Sequence, residues 1–379
     1  MKKLLFILLS LFAAHRMPAR EYVDLHQPNP QDDPLVQAAM ASSLPTIALS
    51  CTYQSVDVDG NPVTLSGKVY MPRAHKAQRI ILQAHFTILS HSEAPSETDV
   101  PDAMLRYKDY VLVLPDYLGF GVSHAHKHPY LCPDITARNC ADMLIAVQGF
   151  LQRLDREPLH ESVVLVGYSQ GGQTIIATQR LLETQHPDIP ILRCYAGAGP
   201  YDLGRTYDVS IQTDNVGLPF TVPMLIMGTS WGHNLNLDLA YFLKPKAANR
   251  AEKYLFSKKY SAVDVTLLKR MGFSNKVSDL MTREGMDKTQ PETRRFYNAL
   301  VQSSIAHVDE TDTVLGDWTP RAPIYLFHSR QDKSVVFENA LSLQLMLDAK
   351  GARVEYDFGD YGDHIQALFR FFDYLNREL

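Results

Sequence analysis

The stretch Val163-Val164-Leu165-Val166-Gly167-Tyr168-Ser169-Gln170-Gly171-Gly172 restricts the fold more than any other part of the chain. Its aliphatic run has no polar alternation, so it specifies a strand buried on both faces. The run ends in Gly-Tyr-Ser-Gln-Gly, and from Thr174 to Leu182 the pattern is helical. Glycines on either side of Ser169 suit a turn too tight for a Cβ, which lifts the hydroxyl out of the sheet edge. The helix that follows aims unpaired backbone N–H groups, and the positive end of its dipole, at any charge that forms beside the serine.

The rest of the chain supplies neighbours for that strand. Apolar runs at Arg79 to His85, Tyr110 to Pro115, Ile191 to Ala198, Pro323 to His328 and Arg353 to Phe358 read as strands. Helical patterns at Ile135 to Leu154, Val336 to Asp348 and His364 to Leu379 lie among them, and a helix-like segment spans Val100 to Lys108. This βα repetition predicts parallel strands joined by crossovers. Thr52 to Val56 and Val63 to Met71 alternate around Asp57-Val58-Asp59-Gly60-Asn61-Pro62, a hairpin signal that predicts antiparallel edge strands. Residues 21 to 48, rich in Pro, Gln and Asp, read as an arm lying on the domain.

Residues 199 to 322 break the rhythm, because connections normally take about 2–6 residues. Helical patterns at Leu235 to Phe242, Ser261 to Met271, Lys276 to Glu284 and Glu292 to Ser303 fill this insertion, and Pro223 to Met227 fits either a strand or a helix.

A serine hydroxyl is a weak nucleophile until a base takes its proton and a third group orients that base. Asp332, after the strand at Ile324 to Phe327, and His364, at the start of the last helix, follow Ser169 in chain order. Asp360 and Asp363 compete with Asp332 because they lie closer to His364. Asp363 is better read as the cap of the last helix, and it is held as the substitute acid.

The Gly167-Tyr168-Ser169-Gln170-Gly171 turn and the order Ser169, Asp332, His364 resemble the nucleophile elbow and triad order of α/β-hydrolases. Pro115-Asp116-Tyr117-Leu118-Gly119-Phe120-Gly121 and His128-Pro129-Tyr130 resemble segments of bacterial and fungal secretory lipases and esterases within that superfamily. The resemblance implies an α/β-hydrolase fold, a mostly parallel central sheet flanked by helices, with the insertion as a helical lid. The expected division is a signal peptide at 1–20, the first part of the core at 21–203, the lid at 204–320 and the second part of the core at 321–379.

The same resemblance implies an oxyanion hole formed by the N–H of Gln170 and a donor from the loop after Arg79 to Ala84. Many relatives have His-Gly there; this chain has His85-Phe86-Thr87, which makes Thr87 the first candidate and Phe86 the second. His85, Asp116, Tyr117 and Tyr168 are candidates for the substrate pocket. The implied activity is cleavage of small-molecule, lipid or glycan esters through an acyl-enzyme, with no cofactor and no metal. A serine peptidase on the same fold and a non-catalytic glycan-binding protein are the rival readings.

Met1-Lys2-Lys3 followed by the apolar run Leu4 to Ala14 reads as a secretory signal, too short for the roughly 20 apolar residues of a membrane span. It predicts a secreted or periplasmic protein with no integral membrane segment in the mature chain. A formal net charge of −5 offers no polycationic surface for nucleic acid. Cys132 and Cys140 are the first pair to consider for a disulfide among Cys51, Cys132, Cys140 and Cys194, with four buried thiols as the alternative. His124, His126 and His128 alternate, but no carboxylate or cysteine completes a ligand pattern, and they read as an exposed loop.

Overall fold

The run at Val163–Tyr168 (β6) is buried along its whole length and pairs with parallel strands on both sides. A computed structural model describes residues 20–98, 109–262, 272–309, 311, 313–316 and 318–379 of the chain. Among them a nine-stranded sheet runs in the order β1-β2-β3-β5-β4-β6-β7-β10-β11. Its members are β1 (Val23–Asp24), β2 (Thr46–Val56), β3 (Pro62–Pro72), β4 (Arg79–Ala84), β5 (Tyr110–Pro115), β6, β7 (Ile191–Gly197), β10 (Ile324–Ser329) and β11 (Val354–Gly359). The hairpin pairs β2 with β3 in antiparallel register from Thr46↔Pro72 to Val56↔Pro62. β3 is also antiparallel to β5, and the strands from β5 to β11 are parallel. A separate two-stranded piece joins β8 (His307–Val308) to β9 (Val314–Leu315).

Alternate residues of β6 feed two cores. Val163 and Leu165 join a cluster with Leu144, Phe150 and Ile176, contributed by helices α2 (Pro133–Arg153) and α3 (Gln170–Gln185). Val164, Val166 and Tyr168 join the other with Tyr325, Phe371 and Leu375, the last two from the terminal helix His364–Glu378. The sheet is thus covered on both faces, as a strand without polar alternation requires.

The leading arm is more ordered than its composition suggests. β1 pairs parallel with β2, and Pro34–Ala41 (α1) forms a helix. Asp33 accepts from Leu35 N and Val36 N while Pro34 occupies the first turn, a cap and N1 signal outweighed in the sequence by the surrounding Pro and Gln. Strand β2 also begins at Thr46, earlier than the expected Thr52.

In the insertion, the ambiguous run at Pro223 to Met227 is helical, within Thr221–Gly232. Pro223 lies in its first turn, where no backbone N–H needs a partner. The expected Leu235 to Phe242 helix shortens to Leu239–Phe242 behind an Asp238 cap. Lys276 to Glu284 splits into Val277–Leu280 and Arg283–Met286, because Thr282 caps the second turn. Pro291–Gln302 matches the expected last helix. Together with Leu203–Thr213, these pieces gather an apolar cluster of their own, including Tyr207, Phe242, Phe296 and Leu300, which closes onto Leu89, Tyr130 and Leu131.

The signal at 1–20, apart from Arg20, the segment Val100 to Lys108, and all but Ser261 and Ala262 of the Ser261 to Met271 helix lie outside the described residues. Among those described, no helix is long and apolar enough to cross a membrane. The four cysteines are buried and unbonded, so Cys132 and Cys140 do not pair. Cys132 Sγ instead lies 3.6 Å from Gly228 O, under the Thr221–Gly232 helix.

Candidate active site

Ser169 sits between β6 and α3 at φ +58° and ψ −125°, a strained conformation for a residue with a side chain. The surroundings leave it no alternative. A Cβ on Gly171 would lie 2.1 Å from Ala84 O, so α3 can approach β4 this closely only with glycine there. Ser169 N donates to Gly197 O at 2.9 Å, which fixes the turn to β7 as well.

From this apex a hydrogen-bond chain runs inward. Ser169 Oγ is 2.9 Å from His364 Nε2, and His364 Nδ1 is 2.5 Å from Asp332 Oδ2. The other carboxylate oxygen of Asp332 accepts from Ser334 N at 2.8 Å and Val335 N at 3.0 Å. Burial opposes the charge on Asp332, but the His364 and His328 rings and the Val335 N–H outweigh it and hold the carboxyl below its ordinary value. Asp363 turns away. Its side chain caps the last helix by accepting from Ile365 N and Gln366 N, and Gln366 reciprocates in a capping box. Tyr168 supports the histidine from below, its hydroxyl donating to His364 O at 2.7 Å.

Ser169 opens onto a cavity of about 90 Å³ whose wall includes Thr87, Tyr130 and Gln170 on the sheet side and Leu203, Val222 and Met281 from the insertion. As the first residue of α3, Gln170 has a backbone N–H without an intrahelical acceptor. The arrangement combines a hydroxyl in contact with a base, a charge behind that base, and a helix-terminal donor beside a largely apolar pocket, which is the equipment of acyl transfer.

Thr87 and Gln170 line the cavity beside Ser169, whereas Phe86 packs against the cluster formed by β6 and the terminal helix. None of the four pocket candidates lines the cavity. His85 and Tyr117 stack on each other with centroids 3.8 Å apart, and the Tyr117 hydroxyl donates to His85 O. Tyr168 is fully buried under His364. These residues lie one layer behind the pocket, because position at the C-terminal end of a strand does not determine which way a side chain points.

Asp116 is the plainest correction. Its carboxylate is completely buried and accepts from Ser66 Oγ at 2.6 Å, Ser96 N at 2.8 Å and Ser96 Oγ, bracing the loop after β5. Burial pushes its carboxyl up to about 6 despite those donors. The neutral form therefore contributes stability that is fully present below the ordinary value of 3.8 and is lost as the pH rises through about 6. The effect is on the order of 3 kcal/mol. Asp116→Asn, neutral at every pH, is expected to gain stability relative to the native protein between about pH 4 and pH 6.5 in urea titrations. Parallel pH profiles for the two proteins would contradict this.

Of the three alternating histidines, His124 and His126 are exposed, whereas His128 is buried against Gln170. Among the described residues no group of three or more His, Cys, Asp or Glu side chains is arranged to hold a metal. Sequence reasoning missed Tyr130 as a wall of the cavity, although its segment was noted. It also missed His328, buried 3.8 Å from Asp332 with Nε2 donating to Val335 O at 2.9 Å.

Comparison with known proteins agrees with the architecture. The chain is 26% identical over 237 residues to a secreted triacylglycerol lipase of Malassezia furfur, covering 61% of this chain and 54% of that protein. The match thus spans about half the length of that relative. The structure of a rice cell wall degrading esterase from Xanthomonas oryzae superposes with a TM-score of 0.72 at 24% identity, covering 90% of this chain and 91% of that one. Lipase A of Candida antarctica in its closed state gives a TM-score of 0.63 at 16% identity, covering 90% of this chain and 83% of that one. No protein-family model matches the chain. The chain has the α/β-hydrolase fold and resembles bacterial and fungal lipases and esterases.

Proposed function

We propose that this chain is an exported carboxylic-ester hydrolase. The observation that carries the reading is the unbroken hydrogen-bond chain from Ser169 through His364 to Asp332 at the mouth of an apolar cavity. Ser169 Oγ attacks the ester carbonyl as His364 Nε2 takes its proton. The Gln170 N–H and a Thr87 donor stabilise the oxyanion, and His364 returns the proton to the departing alcohol. Water, deprotonated by the same imidazole, then releases the acyl group. Asp332 holds the ring in the tautomer that leaves Nε2 free to act as base and stabilises the imidazolium. Residues 204–320 act as the lid, and residues 1–20 direct export.

The size of the cavity bears on the substrate. About 90 Å³ is far below the roughly 300 Å³ of a pocket for a drug-sized ligand, so with the insertion in this position only a short acyl group fits. Hydrolysis of nitrophenyl esters of increasing chain length is therefore expected to favour acetate and butyrate over octanoate and longer esters by at least about tenfold in kcat/KM, one added methylene costing roughly 1–3 kcal/mol where it does not fit. An absence of ester hydrolysis, with no labelling of Ser169 by a fluorophosphonate, would overturn the reading.

A further inference from the structure

The two residues proposed to stabilise the oxyanion each have a side-chain partner in one tripeptide, His128-Pro129-Tyr130. His128 Nδ1 lies 2.8 Å from Leu118 O and Nε2 lies 2.9 Å from the Gln170 side-chain amide nitrogen. A carbonyl can only accept, so Nδ1 carries the proton and Nε2 receives the Gln170 N–H. Burial pushes the imidazole down to about 3, which keeps it neutral and this polarity fixed. Gln170 is thereby tethered at the residue whose backbone N–H faces the reacting carbonyl.

Tyr130 performs the matching task on the other side. Its hydroxyl is 2.9 Å from Thr87 Oγ1, and both residues line the cavity beside Ser169. Burial pushes the phenol up to about 12, so it remains a donor. When the phenol donates to Thr87 Oγ1, the threonine proton is free to point into the cavity and is polarised by the bond it accepts. The tripeptide is itself immobilised. A Cβ on Gly228 would lie 2.6 Å from the Tyr130 backbone, so the insertion packs directly onto it.

We infer that His128 and Tyr130 are positioning residues that fix the two oxyanion donors, His128 through the Gln170 side chain and Tyr130 by turning the Thr87 hydroxyl toward the carbonyl oxygen. The inference rests on the esterase reading and assigns Thr87 its hydroxyl as the donor.

Kinetics on nitrophenyl acetate test it. Thr87→Val is expected to lower kcat about 100-fold with KM within twofold, and Thr87→Ser, which keeps the hydroxyl, to retain most of the activity. Tyr130→Phe, which removes one oxygen and preserves the ring, should cost about tenfold in kcat alone and less than about twofold in the Thr87→Val background, since the two act as a unit. His128→Leu should likewise lower kcat about tenfold, and the loss should largely vanish in the Gln170→Leu background, where both polar partners are gone. A purely structural role would move the melting temperature and leave the kcat effects multiplying independently. If the native enzyme is active and the double variants are multiplicative, or Tyr130→Phe leaves kcat unchanged, the positioning role is overturned while the esterase reading stands. If the native protein hydrolyses no ester, both fall.

Discussion

Ser169→Ala is expected to abolish nearly all ester hydrolysis, lowering kcat about 10⁶-fold and leaving only the residual rate that the oxyanion donors and substrate binding provide. The Ser169 hydroxyl is the group in hydrogen-bond contact with His364 Nε2, and alanine offers that base nothing to activate. The fold should survive, because the backbone at residue 169 is held by the bond to Gly197 O and by the fit of Gly171 against Ala84, neither of which involves the side chain. Ser169→Gly separates the two properties. It should be as inactive as the alanine variant yet melt at a higher temperature than the native protein, because a φ of +58° costs a residue with a Cβ about 1–3 kcal/mol and costs glycine little. Activity of the alanine variant within a hundredfold of the native rate would remove Ser169 from the mechanism.

Asp332→Asn is expected to cost about 10⁴-fold in kcat for a reason visible in its hydrogen bonds. One oxygen of Asp332 already accepts two backbone N–H groups, from Ser334 and Val335. In asparagine the carbonyl oxygen takes that place, and the NH₂ group is left facing His364 Nδ1. A donor there drives the imidazole proton to Nε2, and the ring can no longer accept the proton of Ser169. Asp363→Asn makes the contrast, since asparagine caps a helix about as well as aspartate and Asp363 does not touch the imidazole. Its kcat is expected to stay within about twofold of native. Loss of activity in the Asp363 variant alone would exchange the roles of the two residues.

The parts of the site written in the sequence are those whose signals are local. The elbow combines an apolar strand, flanking glycines and a helix start within ten residues, and the cap role of Asp363 follows from its place before a helix. The pairing of Asp332 with His364 was accessible through family resemblance and chain order, since nothing local tells a cap from a partner of histidine. Asp332 in fact does both, one oxygen bound to the backbone and the other to the ring.

What escaped the sequence depends on direction and packing. Asp116 and Tyr117 follow a strand toward the site, but their side chains turn back into the protein, Tyr117 at φ +68°. Much of the cavity wall comes from apolar residues of the insertion, such as Leu203, Val222 and Met281, and their pattern is that of any buried helix. The segment His128-Pro129-Tyr130 carries a family resemblance but no sign of what its side chains hold; their partners are Gln170 and Thr87, about forty residues away in the chain.

The unbonded Cys132 beneath the Thr221–Gly232 helix gives the molecule an internal gauge. Its thiol is covered by the segment that packs against Tyr130 and closes the cavity, and burial holds its proton well above the ordinary thiol value. On the lid role proposed for residues 204–320, reagent reaches that sulfur when this helix moves away, and the pace of its alkylation is expected to report such openings in the native chain.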